Sequence, residues 1–167
     1  MDLEISFPAV VAQPAIDQLV QVADQIWREH YLPIIGQAQI DYMLDRFQSA
    51  PAIEQQLQQG YRYHFISTAD QPCGYLSFAR RQDGLFLSKI YLERQQRGKG
   101  LGWAAMDFVQ RQALEQGLDR IWLTVNRNNR IAIEAYRRWG FNVVGEVVQD
   151  IGQGFVMDDY RMELALV

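Results

Sequence analysis

The chain holds a single cysteine, Cys73, so no disulfide can form within it, and a reducing compartment is the expectation. Its two histidines, His30 and His64, show no metal-ligand spacing, and no metal is expected. No apolar run approaches the roughly 20 residues that cross a bilayer. The opening Met1-Asp2-Leu3-Glu4 lacks the basic and apolar segments of an export signal, so the expected location is cytoplasmic, with no membrane partner. Positive charge is in deficit, 16 basic against 20 acidic residues for a net charge of −4. That balance argues against nucleic acid as a partner and favours a cationic small molecule. Neither an internal repeat nor a low-complexity tract occurs.

What remains is ordinary globular material: 49% hydrophobic and 22% charged over 167 residues, read as one domain, 1–167. Ile16, Leu19, Val20, Ala23, Ile26 and Trp27 follow helical spacing, with Pro14 where a first turn tolerates it. Pro33 and Gly36 break that pattern. A second helix carries Ile40, Met43, Leu44 and Phe47, and a short third one follows Pro51 and ends before Gly60. The period then changes. Tyr61–Thr68 reads as a strand, Asp70-Gln71-Pro72 as a turn, Gly74–Arg80 as a strand, and Gln82-Asp83-Gly84 as a hairpin signal into Leu85–Leu92. A helix from about Gly98 to Glu115 buries Leu101, Ala105, Phe108 and Val109, and Gly117 ends it. Ile121–Val125 is a short apolar strand of the kind buried on both faces. Asn128 or Asn129 caps a helix whose inner stripe is Ile131, Ala132, Ala135, Tyr136 and Trp139, stopped by Gly140. Phe141–Val148 and Phe155–Leu164 close the chain as a strand pair, and Leu3–Phe7 counts as the first strand. Hairpins at both ends around a β-α-β unit predict an α/β fold, a mixed sheet with helices on both faces.

Gln95-Gln96-Arg97-Gly98-Lys99-Gly100-Leu101-Gly102 joins an apolar strand to an amphipathic helix. Glycines there let the backbone turn tightly, and the first helical turn offers unpaired N–H groups and a positive dipole end to a pyrophosphate. Arg97 and Lys99 add full charges. The same stretch also reads as a tight loop with solvated basic residues. It is neither a Walker A loop nor the dinucleotide fingerprint, so nucleotide hydrolysis and NAD binding fall back.

The segment from Val125 to Phe141 puts amides at the exit of a strand and at the start of the next helix, with Tyr136 two turns on. Amides can bond an amide-rich ligand and a phenol can donate a proton; the bland alternative is two caps and a core aromatic. Gln95-x-x-Gly98-x-Gly100 resembles the acetyl-CoA pyrophosphate motif of the GNAT superfamily of N-acetyltransferases. Asn126-x-x-Asn129-x-x-Ala132-Ile133-x-x-Tyr136-x-x-x-Gly140-Phe141 resembles that superfamily's next block, in the right order and setting.

The resemblance implies a central twisted mixed sheet of about seven strands, splayed in the middle between Leu87–Leu92 and Ile121–Val125. It implies acetyl-CoA as co-substrate, its pantetheine arm on the backbone of Ile90, Tyr91 and Leu92 and its pyrophosphate on Gln95 to Gly102. Asn126, Asn129 and Ala132 would complete that site, and Tyr136 would be the general acid. Many relatives carry a glutamate on the strand corresponding to Leu85–Leu92, and here no carboxylate precedes Glu93. The expected substitute is a water chain ordered by Ser88. Helices around Trp27–Tyr31 and Tyr42–Ser49 look like the acceptor side of polyamine-acetylating members, with Glu29, Tyr31, Asp158 and Asp159 lining a cation-attracting cleft. The leading expectation is direct transfer of an acetyl group to a small-molecule amine, with polyamines favoured. Acetylation of a protein lysine or N-terminus, and a non-catalytic acyl-CoA sensor, remain as alternatives. Phe155–Leu164 is expected at the sheet edge, where a homodimer would pair.

Overall fold

The computed structural model describes residues 4–166. A two-residue strand, β1 (Ile5–Ser6), is what remains of the expected first strand, and Leu3 lies outside the described residues. Helix α1 (Gln13–Ile35) turns Ile16, Leu19, Ala23, Ile26 and Trp27 inward, as their spacing requires. The helix does not break at Pro33. It runs on to Ile35 and ends at Gly36, whose φ is 81°. Pro33 lacks the N–H that would reach the carbonyl of Glu29, and that oxygen instead accepts from Arg94 at 3.2 Å. Helix α2 (Gln37–Gln48) and α3 (Ala50–Gln58) follow, with Ser49 Oγ accepting the Ala52 N–H as the cap of α3.

The chain then enters strands β2 (Tyr61–Thr68), β3 (Gln71–Arg81) and β4 (Gly84–Leu92). Their first hairpin turns at Ala69 and Asp70, both at positive φ, one residue earlier than expected, and Pro72 lies inside β3 beside a register shift. A 3₁₀ turn at Arg94–Gln96 leads to α4 (Leu101–Glu115), then β5 (Arg120–Asn126), α5 (Arg130–Arg138), β6 (Asn142–Gly152) and β7 (Phe155–Ala165).

Among the described residues, seven strands form one mixed sheet in the order β1-β2-β3-β4-β5-β7-β6. β4 and β5 form its parallel pair, joined only at Leu85↔Ile121 and Phe86↔Trp122, and beyond those residues the two strands part. β7 is not an edge strand. It lies between β5 and β6, paired with β5 from Arg120↔Ala165 to Asn126↔Asp159, and β6 takes the edge. The edge expected to pair two copies is therefore covered within the chain. β5 also departs from expectation: Ile121, Leu123 and Val125 are buried, while Trp122, Thr124 and Asn126 on the other face are half-buried where the sheet opens.

Two cores sandwich the sheet. One gathers Leu76, Phe78, Leu85, Leu87, Leu123 and Met162 against α4 and Ile133 of α5. The other packs Tyr63, Phe65, Tyr75 and Ile151 against α1, α2 and α3. Each fully buried large aliphatic side chain contributes about 1.5–3 kcal/mol relative to exposure. On α5 the buried residue is Ile133, not Ile131, which is 67% exposed.

Candidate active site

The site is built where β4 leaves β5. Along β4 the register with β3 passes from Phe78↔Leu87 to Ser77↔Lys89, so Ser88 is an extra residue in a bulge. A bulge resets the alternation of side chains. Leu85 and Leu87 before it, and Ile90 and Leu92 after it, pack on the α4 side, whereas Phe86, Ser88, Lys89 and Tyr91 face the opposite side. The backbone follows the same logic. The Glu93 N–H bonds the Cys73 carbonyl at 2.9 Å. Since successive N–H groups point to opposite edges of a strand, those of Ile90 and Leu92 face the gap left by β5.

The first cavity, of about 410 Å³, lies on the α1–α3 side of this gap. Trp27, Tyr31 and Ile35 of α1, Met43 and Phe47 of α2, the four β4 residues, Thr124 and Asn126 of β5, Ile151 of β6, and Met157 and Asp159 of β7 line it. Its volume falls in the range of small-molecule pockets. A buried chain of hydrogen bonds stiffens its floor: Trp27 Nε1 donates to the Tyr75 hydroxyl at 2.6 Å, and that hydroxyl donates to Gln48 Oε1 at 2.7 Å. Gln48 Nε2 in turn donates to the Tyr63 hydroxyl at 3.0 Å. The hydroxyls of Tyr31 and Tyr91 bond at 2.8 Å, and burial pushes the phenol of Tyr31 up to about 12 and that of Tyr91 well above its ordinary value. Both are neutral in the working range.

Two charged side chains share this neutral lining. Asp159 is 5% exposed, and burial, with Asp158 adding, raises its carboxyl to about 6 against the opposing Thr124 hydrogen bond. A carboxylate with that affinity for protons is ionised at neutral pH yet able to accept one. Lys89 donates to Ser88 Oγ at 3.0 Å and stands 5.7 Å from the Tyr63 ring centroid; burial lowers its ammonium to about 8.

The second cavity, about 320 Å³, opens on the α4–α5 side of the gap. Ile90, Tyr91 and Leu92 form one wall, Arg97, Gly98, Gly100, Gly102 and Trp103 an end, and Ile131, Ala132, Ala135, Tyr136 and Trp139 the other wall. Gly98 and Gly100 have φ of 79° and 81°, the left-handed region that suits glycine. A Cβ on Gly102 would come within 2.9 Å of the Trp139 ring, so the close approach of α4 to that ring requires glycine. Tyr136 is half-buried between the rings of Trp139 and Phe141, and burial raises its phenol, which therefore keeps its proton. Tyr91 lines both cavities.

A profile of the Acetyltransferase (GNAT) family matches residues 20–141. The chain belongs to this family. The L-methionine sulfoximine/L-methionine sulfone acetyltransferase of Pseudomonas aeruginosa is 31% identical over 103 residues, 58% of this chain and 59% of that protein. The streptothricin acetyltransferase of Streptomyces lavendulae is 36% identical over 70 residues, 42% of this chain and 37% of that protein. The match thus spans less than two thirds of either curated relative. The PaiA N-acetyltransferase of Thermoplasma acidophilum, solved in complex with coenzyme A, superposes with a TM-score of 0.78 over 99% of each chain at 18% identity, a likeness of fold.

Against this GNAT frame the expected site residues divide. Ile90, Tyr91, Leu92, Arg97, Gly98, Gly100, Gly102, Ala132 and Tyr136 meet around the second cavity, and Ser88, Tyr31 and Asp159 around the first. Gln95 and Lys99 point elsewhere: Gln95 donates to Glu93 at 3.4 Å, and Lys99 to Gln96 at 3.3 Å. Leu101 is buried in the core, leaving only its backbone for a ligand. Asn129 Oδ1 caps α5 by accepting the Ala132 N–H at 3.3 Å, and Asn126 Oδ1 accepts the Asn128 N–H at 2.9 Å while its residue borders the first cavity. Glu29 is exposed and contributes no side chain to the cleft. Asp158 points away from it, paired with Arg127 at 2.8 Å, because neighbours on a strand face opposite sides. That pairing also occupies Arg127. The sequence missed Lys89, which only the bulge turns inward, and missed the burial that sets Asp159 apart from Asp158. Strand alternation was the available signal, since it forbids Asp158 and Asp159 from sharing one cleft.

Proposed function

We propose that this protein moves an acetyl group from acetyl-CoA to a primary amine of a small molecule by direct attack within a ternary complex. The observation that carries this is the pair of cavities meeting at Tyr91 across parted strands. The second has the shape and chemistry for the donor: free strand N–H groups of Ile90 and Leu92 for a pantetheine arm, and glycines at a helix start beside Arg97 for a pyrophosphate. The first receives the amine.

An alkyl amine attacks only when neutral, and its free pKa is near 10.4. Asp159 accepts the proton, directly or through water held by Ser88. The nitrogen then adds to the thioester carbonyl, and the Ile90 N–H stabilises the oxyanion. The C–S bond breaks as Tyr136 donates a hydrogen bond to the leaving sulfur, and the proton that the nitrogen sheds on becoming an amide passes through the Tyr136 hydroxyl to that sulfur, leaving the phenol neutral. Alignment of amine and thioester supplies much of the rate.

The polyamine form of this reading leaned on an acidic cleft. Only Asp159 among its four expected lining residues brings negative charge there, so support reaches a small-molecule amine and no further in that direction. The acceptors named for the two curated relatives are small molecules as well. The sensor alternative drew on a missing carboxylate, and Asp159 supplies one. Free-thiol release from acetyl-CoA, measured with a panel of amines, tests the reading. Turnover is expected with at least one small amine, and Asp159→Asn is expected to lower kcat/KM about 10²–10⁴-fold. Undiminished turnover in that variant would remove Asp159 from the mechanism.

A further inference from the structure

The ammonium of Lys89 is the charge in the acceptor cavity that the acetyl transfer just described leaves unused. Among the described residues its side-chain hydrogen bond goes to Ser88 Oγ, a neutral acceptor at 3.0 Å, the Tyr63 ring lies 5.7 Å away, and the phenol of Tyr61 lines the same cavity close enough to act on its charge. Among the described residues no carboxylate forms an ion pair with it, and the carboxylate lining the same cavity, Asp159, is on β7, separated from β4 by β5 in the sheet order. A charge taken out of water without a partner is costly. Here the cost is imposed deliberately by the fold: without the Ser88 bulge, position 89 would fall in phase with Leu85 and Leu87 and face the opposite core.

The acceptor cavity therefore carries opposite charges, Lys89 on β4 and Asp159 on β7. A ligand that satisfies both has an ammonium at one end and an anion at the other. A polyamine satisfies Asp159 and is repelled by Lys89.

Building on the acceptor assignment above, we propose that Lys89 anchors an anionic group of the acceptor, and that the acceptor is an amino acid-like zwitterion whose carboxylate docks on Lys89 while its amino group faces Asp159 and the thioester. Lys89 acts here as a specificity-determining residue.

The test is thiol release from acetyl-CoA with matched acceptors that differ only in the carboxylate: free amino acids, their carboxamides, and polyamines, with wild type, Lys89→Met and Lys89→Arg. We expect amino acids to be used at least 100-fold better in kcat/KM than their amides or polyamines. Lys89→Met is expected to raise the KM for the amino acid about 10–100-fold, the loss of a charge-assisted contact. The acetyl-CoA dissociation constant should be unchanged, which reports an intact fold, and Lys89→Arg should recover part of the loss. Equal use of amides or polyamines, with Lys89→Met without effect on KM, would overturn the anchor and leave the acetyltransferase reading standing. Binding of acetyl-CoA with no thiol released by any amine would overturn both.

Discussion

Asp159 shows what one residue contributes when a strand carries it into a cavity. Its carboxyl sits at about 6, above the ordinary carboxylate value, chiefly through burial. A group that holds its proton more tightly folded than unfolded adds no cost at low pH, where both states are protonated; the cost grows as pH rises from about 4 to about 6 and is fully present above that. Asp159→Asn is therefore expected to raise stability by on the order of 1–3 kcal/mol at pH 7 to 8 and to change nothing near pH 4. Thermal unfolding at the two pH values checks this, and an equal shift at both would contradict it. Gain of stability with loss of turnover is the usual signature of a strained functional group. Tyr136 is the complementary case, a phenol whose raised proton affinity keeps it an O–H donor throughout.

At the scale of elements, the donor cavity depends on how closely α4 approaches α5. Gly102 lies in the first turn of α4 with the Trp139 ring over its Cα. Alanine there gains up to about 1 kcal/mol of helix propensity but must displace the ring, and overpacking costs about 1–3 kcal/mol. Gly102→Ala is expected to lower the unfolding temperature modestly and to raise the KM for acetyl-CoA several-fold, measured by steady-state kinetics with the amine saturating. An unchanged KM would show that this approach does not shape the donor site.

Elements with a strong local period were legible in the sequence: the α1 stripe, the β2–β4 hairpins, and the turn into α4 with its glycines. What was not legible depended on long-range pairing. Ser77↔Lys89 pairing creates the bulge that turns Lys89 inward, and no local pattern in Leu-Phe-Leu-Ser-Lys-Ile-Tyr-Leu signals it. The insertion of β7 between β5 and β6 likewise reverses the expectation of an edge, since strand order is not written in strand spacing. Pro33 inside α1 was misread because its compensation, Arg94 on the freed carbonyl of Glu29, comes from 65 residues away.

On the scale of the whole molecule, a sheet that parts at Leu87 and Leu123 joins two cavities that neither core fills. A net charge of −4 sits beside a donor end gathered around Arg97 and Arg138 and an acceptor end split between Lys89 and Asp159. Local charge, not the total, underlies the proposed assignment of each cavity. The proposed ternary complex holds both ligands at once, one on either side of Tyr91. Initial velocities measured with acetyl-CoA and the acceptor varied together probe this most directly. Simultaneous occupation predicts double-reciprocal lines that intersect. Parallel lines, the mark of an acetylated enzyme formed before the amine binds, would contradict it.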